Sequence, residues 1–152
     1  MPDKTEISQN YRAVHVMGTW DIAVEDGMVK IGSLFVYSDD LSYLLREHKQ
    51  AVILAATLGV RADAYIYKTM HMSAACGMMA DEEASQFIER YVNRLQSDFV
   101  ESGKRFSPGY GDFDIRHQAD ILKMLNAGRI GLYLTDAFML APSKSITAVF
   151  GI

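Results

Sequence analysis

The hydrophobic pattern changes period several times along this chain, and each change predicts a new element. Apolar and polar side chains alternate over residues 19–24, meet Asp26 and Gly27, and resume with Met28, Val29, Lys30 and Ile31. Alternation on either side of Asp-Gly predicts a β-hairpin, because that dipeptide tolerates the positive φ angles of a tight turn. A further apolar stretch, residues 34–37, stops at Ser38, Asp39 and Asp40, which can accept the free N–H groups at the start of a helix. That helix would hold Leu41, Leu44 and Leu45 on its inner face. Residues 51–58 are apolar apart from Thr57 and are closed by Gly59, the pattern of a fully buried strand.

From residue 61 to residue 102 the period is helical, with Gly77 the expected interruption between two helices. Ala84, Phe87, Ile88, Tyr91, Val92, Leu95 and Phe99 recur at i, i+3, i+4 and i+7, lining one face of a long amphipathic helix that Gly103 should end. A loop follows over residues 104–114, then a shorter helix with Ile115, Ala119, Leu122 and Leu125 inward, stopping near Asn126 and Gly128. Two apolar strands, residues 130–134 and 146–152, flank a loop with Pro142 and Lys144. Together these elements predict a single α+β domain over residues 1–152, with a mainly antiparallel or mixed twisted sheet packed against helices. An end as apolar as Ala148, Val149, Phe150, Gly151 and Ile152 should be tied into that sheet rather than fray.

Composition narrows the class of function. The 152 residues are 49% hydrophobic and 22% charged, which excludes a disordered or collagenous chain. A net charge of −4 offers no positive field for a phosphate backbone, so nucleic acid is not an expected partner. The one cysteine, Cys76, can form neither an internal disulfide nor a Cys-rich zinc site, which fits a reducing cytoplasm. The longest apolar run, residues 51–58, falls far short of the ~20 residues a membrane span requires, and residues 2–6 lack a signal peptide's apolar stretch. No membrane partner is expected, and self-association is left open.

Candidate chemistry concentrates in Arg105, Phe106, Ser107, Pro108, Gly109, Tyr110, Gly111 and Asp112. Two glycines around a tyrosine let the backbone turn sharply and expose N–H groups, Pro108 stiffens the approach, and Arg105 offers a planar fork suited to a carboxylate. Such a loop could grip a small anion or zwitterion; spacing alone favours the plainer reading of a tight turn with a surface arginine.

The stretch from Arg105 to Asp112, with Gln118, the helix at 121–126, residues 130–135, Met139, Pro142 and the ending from Lys144 to Ile152, resembles the C-terminal part of the activation domain of vitamin B12-dependent methionine synthase. It is most similar to that family's stand-alone members, which carry R-F-S-P-G-Y-G-D and end in K-S-x-T-A-V-F-G-I. The likeness is dense from Arg105 onward and looser from Leu34 through Ala55–Gly59; before Leu34 little of the family's helical N-terminal portion is present. Full-length members follow the loop tyrosine with P-A-C-P where this chain has Gly111, Asp112, Phe113 and Asp114, and stand-alone members place Pro-Leu where Asp114 and Ile115 stand.

The resemblance implies a domain that binds S-adenosylmethionine and presents it to a cobalamin held by a separate corrinoid protein, so that oxidised cobalamin can be reduced and remethylated. By position it implies that Arg105 grips the ligand carboxylate, that Tyr110 touches the ligand, and that the backbone around Ser107 and Gly109 makes main-chain contacts. Phe150 stands where full-length members have an aromatic residue near the ligand. None of His15, His48, His71 or His117 lies in the D-x-H-x-x-G segment that ligates cobalt, so no metal ligand is expected and cobalamin would come only through a partner. The competing reading is a structural or regulatory module that keeps the fold without the ligand. An independent enzyme has no nucleophile and general base to support it.

The remaining candidates read as structural. Cys76 and His71, five apart, do not share a helix face well, so Cys76 is expected to be buried and inert. Met70, Met72, Met78 and Met79 are expected to fill core. Asp81, Glu82 and Glu83 are expected to open the long helix and complement its dipole. Gly59 lacks the G-x-G-x-x-G context of a phosphate turn and is read as a packing glycine.

Overall fold

The computed structural model describes residues 11–100 and 103–152. The polar start at residues 2–6 and the last two positions of the 61–102 helical stretch lie outside the described residues. Strand β1, Val14–Glu25, begins five residues before the alternation becomes visible in sequence and turns at Asp26-Gly27 into β2, Met28–Ile31. Glu25 pairs with Met28 and Gly27 has φ 77°, so the turn is the tight one the dipeptide predicts. Strand β3, Leu34–Tyr37, pairs with β2, and helix α1, Asp39–Leu45, follows with Ser38 as its N-cap. Next come β4 (Gln50–Thr57), α2 (Val60–Met72), α3 (Ala74–Ser97), α4 (His117–Leu125), a 3-10 turn (Ala127–Ile130), β5 (Tyr133–Leu134), β6 (Leu140–Ala141) and β7 (Ser145–Gly151).

The main sheet has the order β3-β2-β1-β4-β7, and every neighbouring pair is antiparallel. The chain is thus a single α+β domain with a curled antiparallel sheet packed against helices. Its two faces carry separate cores. Ala51, Ile53 and Ala55 join Leu41, Leu45, Phe113, Ile121 and Leu125 on the α1–α4 side, whereas Val52, Leu54 and Ala56 join Ile66, Ala84, Ile88 and Phe150 on the α2–α3 side. Coverage on both sides explains why β4 is apolar at every position from Ala51 to Ala56 instead of alternating. The C-terminal residues are held as predicted: β7 pairs along the whole of β4, and Ala148, Val149 and Phe150 are buried.

Several boundaries differ from the sequence reading. The break between α2 and α3 is Ser73, extended at φ −159°, whose hydroxyl accepts from the Cys76 N–H. Gly77 instead lies inside α3, where its lack of a side chain permits contact with α2: a Cβ there would sit 2.5 Å from the Met70 Cα. Helix α3 ends at Ser97 rather than Gly103, which leaves Phe99 beyond it and partly exposed. In α4 the inward position is Gln118, and Ala119 is exposed. Residues 130–134 do not form a sheet strand, because Ile130 closes the 3-10 turn, Gly131 turns with φ 83°, and only Tyr133–Leu134 is extended, pairing with Leu140–Ala141 in a separate hairpin.

The structural readings of single residues also change. Cys76 is exposed, as are Met70, Met72, Met78 and Met79, since they cap the tip of the α2–α3 hairpin where only Gly77 among residues 70–79 is buried. Asp81, Glu82 and Glu83 lie inside α3, which begins at Ala74, and Asp81 pairs with Lys144 at 2.9 Å. Gly59 has φ 78° and open space around its Cα, so it is needed for conformation, not packing.

Candidate functional site

The loop of residues 104–116 is built onto the outer edge of β7. Phe106 and Val149 exchange two backbone hydrogen bonds, of 2.9 and 2.7 Å, and the Ser107 hydroxyl donates to the Thr147 carbonyl. Phe113, buried in the α1–α4 core, stacks on Phe106 with centroids 6.4 Å apart. Between these anchors the backbone closes on itself: Gly109 donates to the Phe113 carbonyl at 2.7 Å, and Phe113 donates to that of Tyr110 at 3.0 Å. Such closure needs left-handed backbone at Gly109, φ 98°, and Gly111, φ 52°, which accounts for both glycines.

The loop encloses a groove of about 230 Å³ at the sheet edge. Arg105, Ser107, Pro108 and Tyr110 form one wall, and Glu89 of α3, Gln118 of α4, Leu140 and the start of β7 form the rest. Arg105 reaches across to α3: its Nη2 lies 2.5 Å from Glu89 Oε2, and its Nη1 donates to Asn93 at 2.5 Å and Gln96 at 3.2 Å. Glu89, Asn93 and Gln96 are spaced at i, i+4 and i+7, so one stripe of α3 presents three acceptors to a single guanidinium. Gln118 is buried and accepts from the Thr147 hydroxyl at 2.7 Å, which orients its amide at the groove floor.

The sequence candidates are therefore split. Arg105, Ser107 and Tyr110 line the groove, and Gly109 shapes the loop between the last two. Phe150 does not line it. Only 1% exposed, it lies beyond residues 145–147, the part of β7 that lines the groove, and is buried in the α2–α3 core with Phe99 edge-on to it. Sequence reasoning missed Glu89, Asn93 and Gln96, which read as the solvated face of an amphipathic helix; a carboxylate and two amides along that stripe were the available signal. His117 lies beside the loop, its ring tilted 47° against Phe113 and 3.1 Å from Asp120. Among the described residues no group of three His, Cys, Asp or Glu side chains is placed to hold a metal ion.

Charge around the loop is locally satisfied. Asp112 is held below the usual carboxylate range, first by the Ser38 hydroxyl and then by the Asp39 and Asp40 N–H groups. Asp114 is held well below it by the Arg116 side chain, which forks onto its carboxylate. The strongest opposed charges facing the groove are thus Arg105 and Glu89, a cation and an anion placed side by side.

No protein-family model matches this chain, and no curated protein matches it. Among solved structures, the crystal structure of the MetH reactivation domain bound to AdoHcy superposes with a TM-score of 0.75 at 15% identity, over 98% of this chain and 61% of that one. The likeness is one of fold, and this chain spans about three fifths of that structure's length. Among the described residues no helix is long and apolar enough to cross a membrane.

Proposed function

We propose that this chain is an S-adenosylmethionine-binding activation subunit that supports reductive methylation of cobalamin in a separate B12-dependent methionine synthase or related corrinoid methyltransferase. The observation that carries this reading is the Arg105–Glu89 pair facing the groove, in a fold shared with a domain that binds AdoHcy. An amino acid is a zwitterion, and a cation beside an anion matches both of its ends. Arg105 would take the α-carboxylate through its fork, and Glu89 would take the α-ammonium. Arg105 and Glu89 are 20% and 56% exposed, so solvent reaches the pair chiefly from the Glu89 side, where the ligand ammonium would enter. Both charges find new partners in the ligand, so neither is left uncompensated.

The groove's size supports presentation rather than enclosure. At about 230 Å³ it is smaller than the roughly 300–1,000 Å³ of pockets that bury most of a ligand. It would hold the amino-acid end and leave the rest of the molecule accessible to a partner. Tyr110, 68% exposed at the rim, would offer its ring to the sulfonium cation. When bound, S-adenosylmethionine supplies the methyl group; cobalamin and the reductant would come from the corrinoid protein and its electron donor.

One observation favours a second reading, a structural or regulatory module without ligand: the Arg105 guanidinium already has three acceptors on α3, enough for a purely architectural role. The two readings separate in a reconstitution with the cognate cobalamin protein, S-adenosylmethionine and a low-potential reductant. Activation predicts that adding this chain converts the cob(II)alamin spectrum to that of methylcobalamin, more slowly with Arg105→Ala. An equal rate with and without the chain would leave the module reading as the better account.

A further inference from the structure

Asp112 lies two residues beyond the groove tyrosine, and its contacts run away from the groove. Its carboxylate accepts the Asp39 N–H at 2.7 Å, the Asp40 N–H at 3.3 Å and the Ser38 hydroxyl, all at the start of α1 and more than seventy residues away in sequence. The contact is reciprocal, because the Asp112 N–H donates to the Asp40 carboxylate at 3.2 Å. Ser38 is a relay in this arrangement, accepting from the Leu41 N–H at 3.0 Å while donating to Asp112. Gly111 completes the fit: its left-handed backbone, φ 52°, favours glycine, and a Cβ there would press on the Asp40 carboxylate.

Helix α1 is itself immobilised by Leu41 and Leu45, both fully buried in the core that also holds Phe113. Attachment to α1 therefore gives the exposed end of the loop a rigid reference that its own short turn does not supply. The other end already has one in β7, through Phe106 and Ser107. Tyr110 lies between the two and is itself mostly exposed. We infer that Asp112 is a positioning residue: by capping α1 from across the fold it holds the 105–112 loop, and with it Tyr110, in the geometry that binds ligand. The ligand half of this inference rests on the function proposed above, whereas the loop-holding half does not.

The test uses the whole chain with Asp112→Ala, which removes every acceptor, and Asp112→Asn, which keeps one oxygen. Hydrogen exchange at the Gly109, Tyr110 and Phe113 amides is followed without ligand, and S-adenosylmethionine affinity is measured by calorimetry. Asp112→Ala should speed exchange at these three amides while amides of β4 and α3 keep wild-type protection, and should weaken affinity about tenfold, the scale of losing hydrogen bonds to a charged group. Asp112→Asn should fall between Asp112→Ala and wild type in both. Unchanged loop exchange in Asp112→Ala overturns the inference, as does exchange that rises equally throughout the molecule, which would make Asp112 a general stabiliser. If wild type binds no S-adenosylmethionine, the proposed function fails while loop exchange still decides whether Asp112 holds the loop. If loop exchange rises but affinity stays at the wild-type value, positioning for ligand is refuted.

Discussion

Two exposed connections in this molecule, the loop of residues 104–116 and the tip of the α2–α3 hairpin at residues 70–79, are held in opposite ways. The loop is polar and glycine-rich, and it is fixed by bonds to distant elements: Phe106 and Ser107 to β7, Arg105 to α3, Asp112 to α1. The tip is rich in methionine, and apart from local capping by Ser73 it is fixed by one close backbone approach at Gly77. Composition alone suggests the reverse, with apolar residues anchored and polar ones loose. What sets the loop apart is how far in sequence its polar contacts reach, not how hydrophobic it is.

The sharpest way to break this contrast is to remove what the loop rests on. Deleting residues 148–152 takes away most of β7 and the Val149 partner of Phe106, and exposes β4 on one edge. The expected product is unfolded or insoluble; a cooperative thermal transition at the wild-type temperature would show that the loop and sheet stand without it. At the tip the largest effect belongs to the residue that looks least important. Gly77→Ala puts a Cβ against the Met70 backbone, which cannot move like a flexible side chain, and should cost about 1–3 kcal/mol in urea unfolding. A loss below half a kilocalorie would mean the helices separate freely there.

The base of the same hairpin offers a pH test. Tyr11 is buried between Tyr65 and Phe87, donates to the Ala80 carbonyl at 3.0 Å, and has its pKa pushed up to about 12, chiefly by burial and then by Tyr65 and nearby acidic groups. The folded value lies above the unfolded one of about 10, so this contribution is complete below pH ~10 and is lost as pH rises from there towards 12. Tyr11→Phe should flatten that alkaline decline. A stability curve that falls between pH 10 and 12 as steeply as wild type would assign the decline to other groups. Smallest of all should be Met78→Ala or Met72→Ala, within about 0.5 kcal/mol of wild type, since both side chains are mostly solvated.

The fold was largely legible because periodicity reports burial directly. The β1–β2 hairpin, the Ser38 cap, β4 and the core face of α3 follow from spacing and turn chemistry. What failed did so where one residue served a tertiary contact. Gly77 reads as a helix breaker but permits interhelical approach; Gln118 takes the place expected for Ala119 because it accepts from Thr147. Met70, Met72, Met78 and Met79, expected to fill core, are exposed, since helical period gives a face but not whether anything lies opposite it. The site was legible as a loop and not as a groove. Arg105, Ser107 and Tyr110 are adjacent in sequence, whereas Glu89, Asn93 and Gln96 reach them only through the packing of α3, and nothing near Asp112 in sequence indicates Ser38 as its partner. Phe150 does not line this groove, because only the start of β7 reaches it and Phe150 lies further along the strand in the α2–α3 core.

The central claim is that the groove between Arg105 and Glu89 takes the amino-acid end of S-adenosylmethionine, and calorimetric titration of the purified chain tests it most directly. The account predicts saturable one-to-one binding, weakened roughly tenfold or more by Arg105→Lys, whose ammonium cannot reproduce the fork, with little change in melting temperature. Absence of binding by the wild-type chain, or equal affinity in Arg105→Lys, would contradict it.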